Sequence, residues 1–119
     1  MKPFEKLTPN ILNDSTELRK LIAENPDLPI LCFVGSDCNN GEFSYMCCSA
    51  HAVKGEVLNC TQPVYEERIF TDREEFEDRL RDYYDEFDGS DAEFDQFIEN
   101  ELVKYDPYWT PCIILYVDN

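Results

Sequence analysis

A chain of 119 residues with 26 Asp and Glu against 10 Lys and Arg carries a net charge of −16. Such a surface repels nucleic acid and anionic membranes, because holding a polyanion requires Lys or Arg to displace its counterions, so neither is expected as a direct partner. Solubility of a small domain asks for a charge of only about 2–8 in magnitude, and the excess points to basic partners or divalent cations.

The length suits one domain, residues 1–119, around a single core. In chain order, Asp14 and Glu17 are spaced as N-cap and N3 of a short helix to about Glu24, stopped by Pro26. Residues 29–34 form an apolar run expected as a central strand covered on both faces. Asn39-Asn40-Gly41 signals a turn. Residues 43–48 and 64–70 are weaker strand candidates, and residues 49–62 are ambiguous. Thr71 with Glu74 reads as a capping box before a long helix to about Phe87, and Ser90 with Glu93 as another before a helix to about Tyr105. Asp88-Gly89-Ser90 is the turn of a helical hairpin. Residues 111–117 form a second central strand. Cys32 and Cys112, inside the two apolar runs, are expected in the core. The sum is an α+β fold: a small, mostly antiparallel sheet of three to five strands, with a helical hairpin and a short N-terminal helix packed on it.

The acids are uneven along the chain. Residues 66–106 hold 17 acids and 5 bases. On the wheel of the helix that starts after Thr71, Phe76, Leu80, Tyr83, Tyr84 and Phe87 form the apolar stripe. Glu74, Asp78, Asp82 and Asp85 fall opposite, joined at the end by Glu86. The pairs Glu75–Arg79 and Glu77–Arg81 have favourable i,i+4 spacing, whereas Glu74–Asp78 and Asp78–Asp82 repel. Four carboxylates over about 16 Å of helix approach the charge spacing of a nucleic-acid strand. A merely solvated face is the competing account of such a ridge. In Asp106-Pro107-Tyr108-Trp109-Thr110-Pro111, Trp109 reads as an anchor between helix and strand rather than a contact residue.

Cys38, Cys47, Cys48, His51 and Cys60 lie close together in sequence. Thiolates with an imidazole favour zinc. Cys38, Cys48, His51 and Cys60 would close a structural four-ligand site, with Cys47 as the alternate to Cys48, because neighbouring strand residues point to opposite faces. Free thiols on a small sheet are the other reading. The six cysteines and the absence of an apolar leader or membrane-length run lead us to expect a protein of the reducing host-cell cytoplasm. No enzyme is expected: Cys-x-x-Cys and a Gly-rich phosphate loop are both missing.

The acidic helices of residues 71–105 and the cluster Cys38, Cys48, His51 and Cys60 resemble in character the phage and mobile-element inhibitors of host nucleases. Among these the chain is similar to small anti-CRISPR proteins that act on type II CRISPR effector nucleases, including a zinc-containing type. The resemblance implies a protein that occupies a basic surface of the nuclease–guide complex and blocks DNA loading. A zinc-stabilised accessory or regulatory protein-binding domain is the alternative function.

Overall fold

The computed structural model describes residues 12–39, 41, 42 and 44–118. In chain order it holds α1 (Thr16–Glu24), β1 (Ile30–Val34), β2 (Ser49–Val64), β3 (Glu67–Phe70), α2 (Arg73–Tyr83), α3 (Asp91–Tyr105) and β4 (Thr110–Asp118). These make the expected α+β fold, with a mixed, mostly antiparallel sheet of order β1-β4-β2-β3. The chain divides into two compact units: one runs up to Lys54 and resumes at Ile113, the other runs from Gly55 to Cys112. At 16 residues, β2 is long enough to serve both.

In the first unit, Ser15 rather than Asp14 is the N-cap of α1, and its side chain makes no capping bond. The Asp14 carboxylate instead accepts from the Thr16 amide and hydroxyl at 2.9 and 2.6 Å, which holds it below the usual carboxylate range. Both the backbone and the side-chain amide of Asn25 donate to the Leu21 carbonyl and close the helix before Pro26. Leu21, Ala52 and Ile113 form the core here, with Leu18, Leu28 and Leu115 against them. β1 runs parallel to β4, from Ile30 opposite Ile113 to Val34 opposite Val117. The central position expected of β4 is found, with Cys112, Ile113 and Ile114 consecutively buried. β1 departs from the expectation. It is the outer strand, and Ile30, Cys32 and Val34 are exposed while Leu31 and Phe33 are half-buried. Its run is apolar at both parities, so alternation could not reveal a strand covered on one face only. The candidate strand at residues 43–48 is also absent over 44–48, where no apolar alternation exists to bury; Asn40 and Phe43 lie outside the described residues.

In the second unit, β2 and β3 form a hairpin where a single strand, residues 64–70, is expected. Val64 pairs with Glu67 across a two-residue turn at Tyr65 and Glu66, whose φ angles are 47° and 77°. Positive φ at both positions is the type I′ signature, normally written Asn-Gly, so this turn leaves no trace in composition. Arg79 steadies it: its guanidinium donates to the Tyr65 carbonyl at 2.7 Å and lies over the Tyr65 ring. A left-handed non-glycine residue costs about 1–2 kcal/mol. Glu66→Gly is therefore expected to stabilise the protein by about 0.5–1 kcal/mol, after allowing for the greater freedom of glycine in the unfolded chain. A rise in the urea midpoint at constant m-value would register it, and a fall would contradict the strain argument.

Asp72, not Thr71, caps α2 and accepts from the Glu74 amide at 2.9 Å. The helix ends at Tyr83, four residues before the expected Phe87. Beyond it the chain turns and lays the Phe87 ring against Phe94 and Phe97 at 5.3 and 5.0 Å. Gly89 is needed in that turn, since a Cβ there would come within 2.8 Å of the Phe87 ring. α3 follows its sequence closely. Ser90 and Glu93 form the reciprocal capping box, and Tyr105 is the last residue; such a cap contributes about 1 kcal/mol. The core of this unit gathers Leu58, Phe70, Phe76, Leu80, Ile98 and Trp109. Trp109 is thus the anchor its sequence context indicates, with the Arg73 guanidinium 4.9 Å above its ring.

Candidate functional site

α2 is two-sided. Phe76 and Leu80 are buried, and Glu74, Asp78 and Asp82 are exposed on the other side. Successive members of this row stand about 6 Å apart along the helix axis. Asp85 and Glu86, expected on the same helix, instead follow its end and are exposed in the turn.

The ion pairs of this unit leave that row alone. Arg73 binds both oxygens of Glu56, at 2.6 and 3.0 Å, and one oxygen of Asp106 at 3.1 Å. Its hydrogen bond holds the Glu56 carboxyl below the usual range. Arg81 reaches Asp95 at 2.8 Å and Glu77 at 3.4 Å, the second being the i,i+4 pair expected from sequence. Lys104 pairs with Glu101 at 2.7 Å. Arg68 donates to the Cys60 carbonyl, and Arg79 turns to Tyr65 instead of making the expected pair with Glu75. Every base between Gly55 and Cys112 is thereby engaged. Among the described residues no ion pair involves Glu74, Asp78, Asp82, Asp85 or Glu86. Glu66, Glu67, Glu75, Asp88, Asp91 and Glu99 are likewise exposed and outside these ion pairs, so the row on α2 is part of a wider uncompensated acidic surface of this unit. In high dielectric these carboxylates act on a distant cation additively, within a screening length of about 8–10 Å.

The thiols are arranged differently. Cys38 closes a short 3₁₀ turn, Ser36–Cys38, and its thiol donates to the Val117 carbonyl at 3.2 Å. The Cys48 thiol donates to the Cys38 carbonyl at 3.5 Å. Hydrogen bonding with Cys38 raises the Cys48 thiol above its ordinary value. The His51 ring stacks on Tyr116, centroids 5.1 Å apart, and Cys47 is exposed. Cys60 belongs to the other unit, where burial raises its thiol. The structure therefore brings Cys38 and Cys48 together. Among the described residues no group of three or more His, Cys, Asp or Glu side chains is placed to hold a metal ion. A zinc site of Cys38, Cys48, His51 and Cys60 is a proposal, and elemental analysis of protein purified without added metal tests it.

No family model, curated protein or solved structure matches this chain. Among the described residues no helix is long and apolar enough to cross a membrane. One feature of the surface escapes the helical wheel. Tyr83, placed by periodicity in the apolar stripe, is exposed, as is Tyr108 after α3. Tyrosines at helix ends were the available signal.

Proposed function

We propose that this protein acts by binding rather than by catalysis: its uncompensated carboxylates engage a basic surface of a nucleic-acid-processing enzyme and keep DNA from loading. A host CRISPR effector nuclease is the narrowest candidate, as the sequence resemblance implies. One observation carries the reading. Five acids on and just after α2 face solvent with no cation among the described residues paired to them, while every base of their unit is engaged elsewhere. A channel shaped for phosphates would find on this helix carboxylates about 6 Å apart along the axis, and complementary charge chiefly speeds encounter and sets register.

The test is direct. Mixed with guide-loaded type II effectors, the protein is expected to co-elute with at least one at a near-equal molar ratio and to abolish its binding of target DNA. Full DNA binding by every effector of a broad panel, at tenfold molar excess of this protein, would remove the nuclease from the account.

A further inference from the structure

Two thiols of the first unit stand side by side, and each is anchored by groups outside the stretch of chain that joins them. Cys38 is buried. Its amide donates to the Gly35 carbonyl at 3.1 Å, and its thiol to the Val117 carbonyl near the end of β4 at 3.2 Å. Gly35 is itself fixed to β4, its amide 2.8 Å from that same Val117 oxygen. Cys48 is half-buried and directly precedes β2. Its carbonyl accepts from the Asn13 side-chain amide at 3.0 Å, and the Asn13 side-chain oxygen accepts from the Ala50 amide at 3.0 Å. One asparagine thus ties the start of β2 to the approach to α1.

Between these anchors the Cys48 thiol reaches the Cys38 carbonyl at 3.5 Å and hydrogen-bonds with the Cys38 side chain. Residues in such contact are neighbours of the kind a disulfide joins, its Cα atoms lying about 4.4–6.8 Å apart. The remaining thiols are placed otherwise. Cys32 and Cys47 are exposed, and Cys60 and Cys112 are buried in the other unit. A buried sulfur touching a more accessible one is the arrangement in which the first can resolve an adduct formed on the second.

We infer that Cys38 and Cys48 form a reversible disulfide, which staples the turn after β1 to the start of β2 beside the end of β4. The bond forms by exchange with a small-molecule disulfide such as oxidised glutathione. The Cys48 sulfur, deprotonated, attacks one sulfur of that disulfide and expels a glutathione thiolate. The Cys38 sulfur, deprotonated in turn, attacks the Cys48 sulfur, closes the protein S–S bond and expels the second glutathione thiolate. The two thiol protons pass to the two glutathiones; the protein loses two electrons and glutathione gains them. The reduced state has support of its own. Oxidation removes both thiol hydrogens and with them the bonds to the Val117 and Cys38 carbonyls, which keeps the disulfide within reach of reductants. The oxidised state gains by restricting the unfolded chain. This inference is independent of the basic-partner reading. It competes with the zinc proposal, since sulfurs joined to each other cannot serve as thiolate ligands.

The experiment incubates the full chain with oxidised glutathione in tenfold excess over reduced, caps free thiols with a maleimide and reads the intact mass. The native protein is expected to lose two of its six thiols, to carry no glutathione, and to recover both thiols in excess reduced glutathione. Cys47→Ser should lose two thiols in the same way, whereas Cys38→Ser and Cys48→Ser should form no internal bond. The oxidised native chain should also melt several degrees above the reduced one. Six free thiols, or a lasting glutathione adduct, on the native protein would overturn the inference, as would loss of two thiols to an internal bond by Cys48→Ser. A bound zinc ion that shields both thiols until a chelator removes it would overturn it in favour of the metal.

Discussion

Replacing Glu74 and Glu86 by Gln and Asp78, Asp82 and Asp85 by Asn, all in one variant, is expected to slow association with the basic partner at least tenfold at low salt and to leave the fold intact. The five side chains are exposed and make no ion pair among the described residues, so their loss orphans no buried or partnered group. Stability should even rise slightly. Glu74 with Asp78 and Asp78 with Asp82 are like-charge i,i+4 neighbours in α2, each costing about 0.2–0.5 kcal/mol. Electrostatic steering typically multiplies on-rates by about 10–10³ and fades with ionic strength. The variant's association rate should therefore depend less steeply on salt than that of the native chain. Stopped-flow rates at several salt concentrations, with thermal melts of both proteins, separate the two effects. Unchanged rates alongside an unchanged melt would show that the partner does not read this row.

Phe76→Ala is expected to remove about 3–5 kcal/mol, against a total of about 5–15 kcal/mol for a protein of this size. The ring is 1% exposed and meets Phe70, Tyr105 and Trp109 edge-on at 5.0, 5.0 and 6.0 Å. No small side chain can restore that many contacts, and the surrounding rings, themselves held by neighbours, have little room to close the void. A lowering of Tm by roughly 10–20 °C should follow, measurable by circular dichroism. Phe76→Leu should recover most of it. A drop of less than about 1 kcal/mol for the alanine variant would mean that the packing around α2 is looser than described. The same variant also bears on binding, because Phe76 and the acidic row occupy opposite sides of one helix. Well below its melting range the alanine variant should still associate at the native rate.

Local chemistry explains which parts were readable before the fold was known. The Ser90–Glu93 box and the end of α3 at Tyr105 depend on residues a few positions apart, and both are found as the sequence implies. The end of α2 depends on Phe87 meeting Phe94 and Phe97, a contact that periodicity cannot supply. The turn at Tyr65 and Glu66 carries none of the residues that usually mark positive φ. β1 and β4 look alike as apolar runs and differ only in which neighbours the sheet gives them. The acidic row followed from the helical wheel, but its isolation did not. Of the two i,i+4 pairs expected on α2, Glu77–Arg81 forms, whereas Arg79 leaves for Tyr65. Arg73 finds its carboxylates 17 and 33 positions away, at Glu56 and Asp106, well outside the reach of any local rule.

Arg73 has one more bearing on recognition. As the first residue of α2 it ties the helix start to β2 through Glu56, to the 3₁₀ turn after α3 through Asp106, and to the indole of Trp109. With Phe76 buried one turn further on, the helix is held like a rod clamped at its base. A loose acidic tail would mould itself to almost any cationic surface and lose entropy in doing so. A clamped row arrives already ordered, and so loses little entropy on docking. It also cannot adapt. Cations set at the wrong intervals would meet it out of step, so stiffness rather than charge alone would decide which basic proteins it holds.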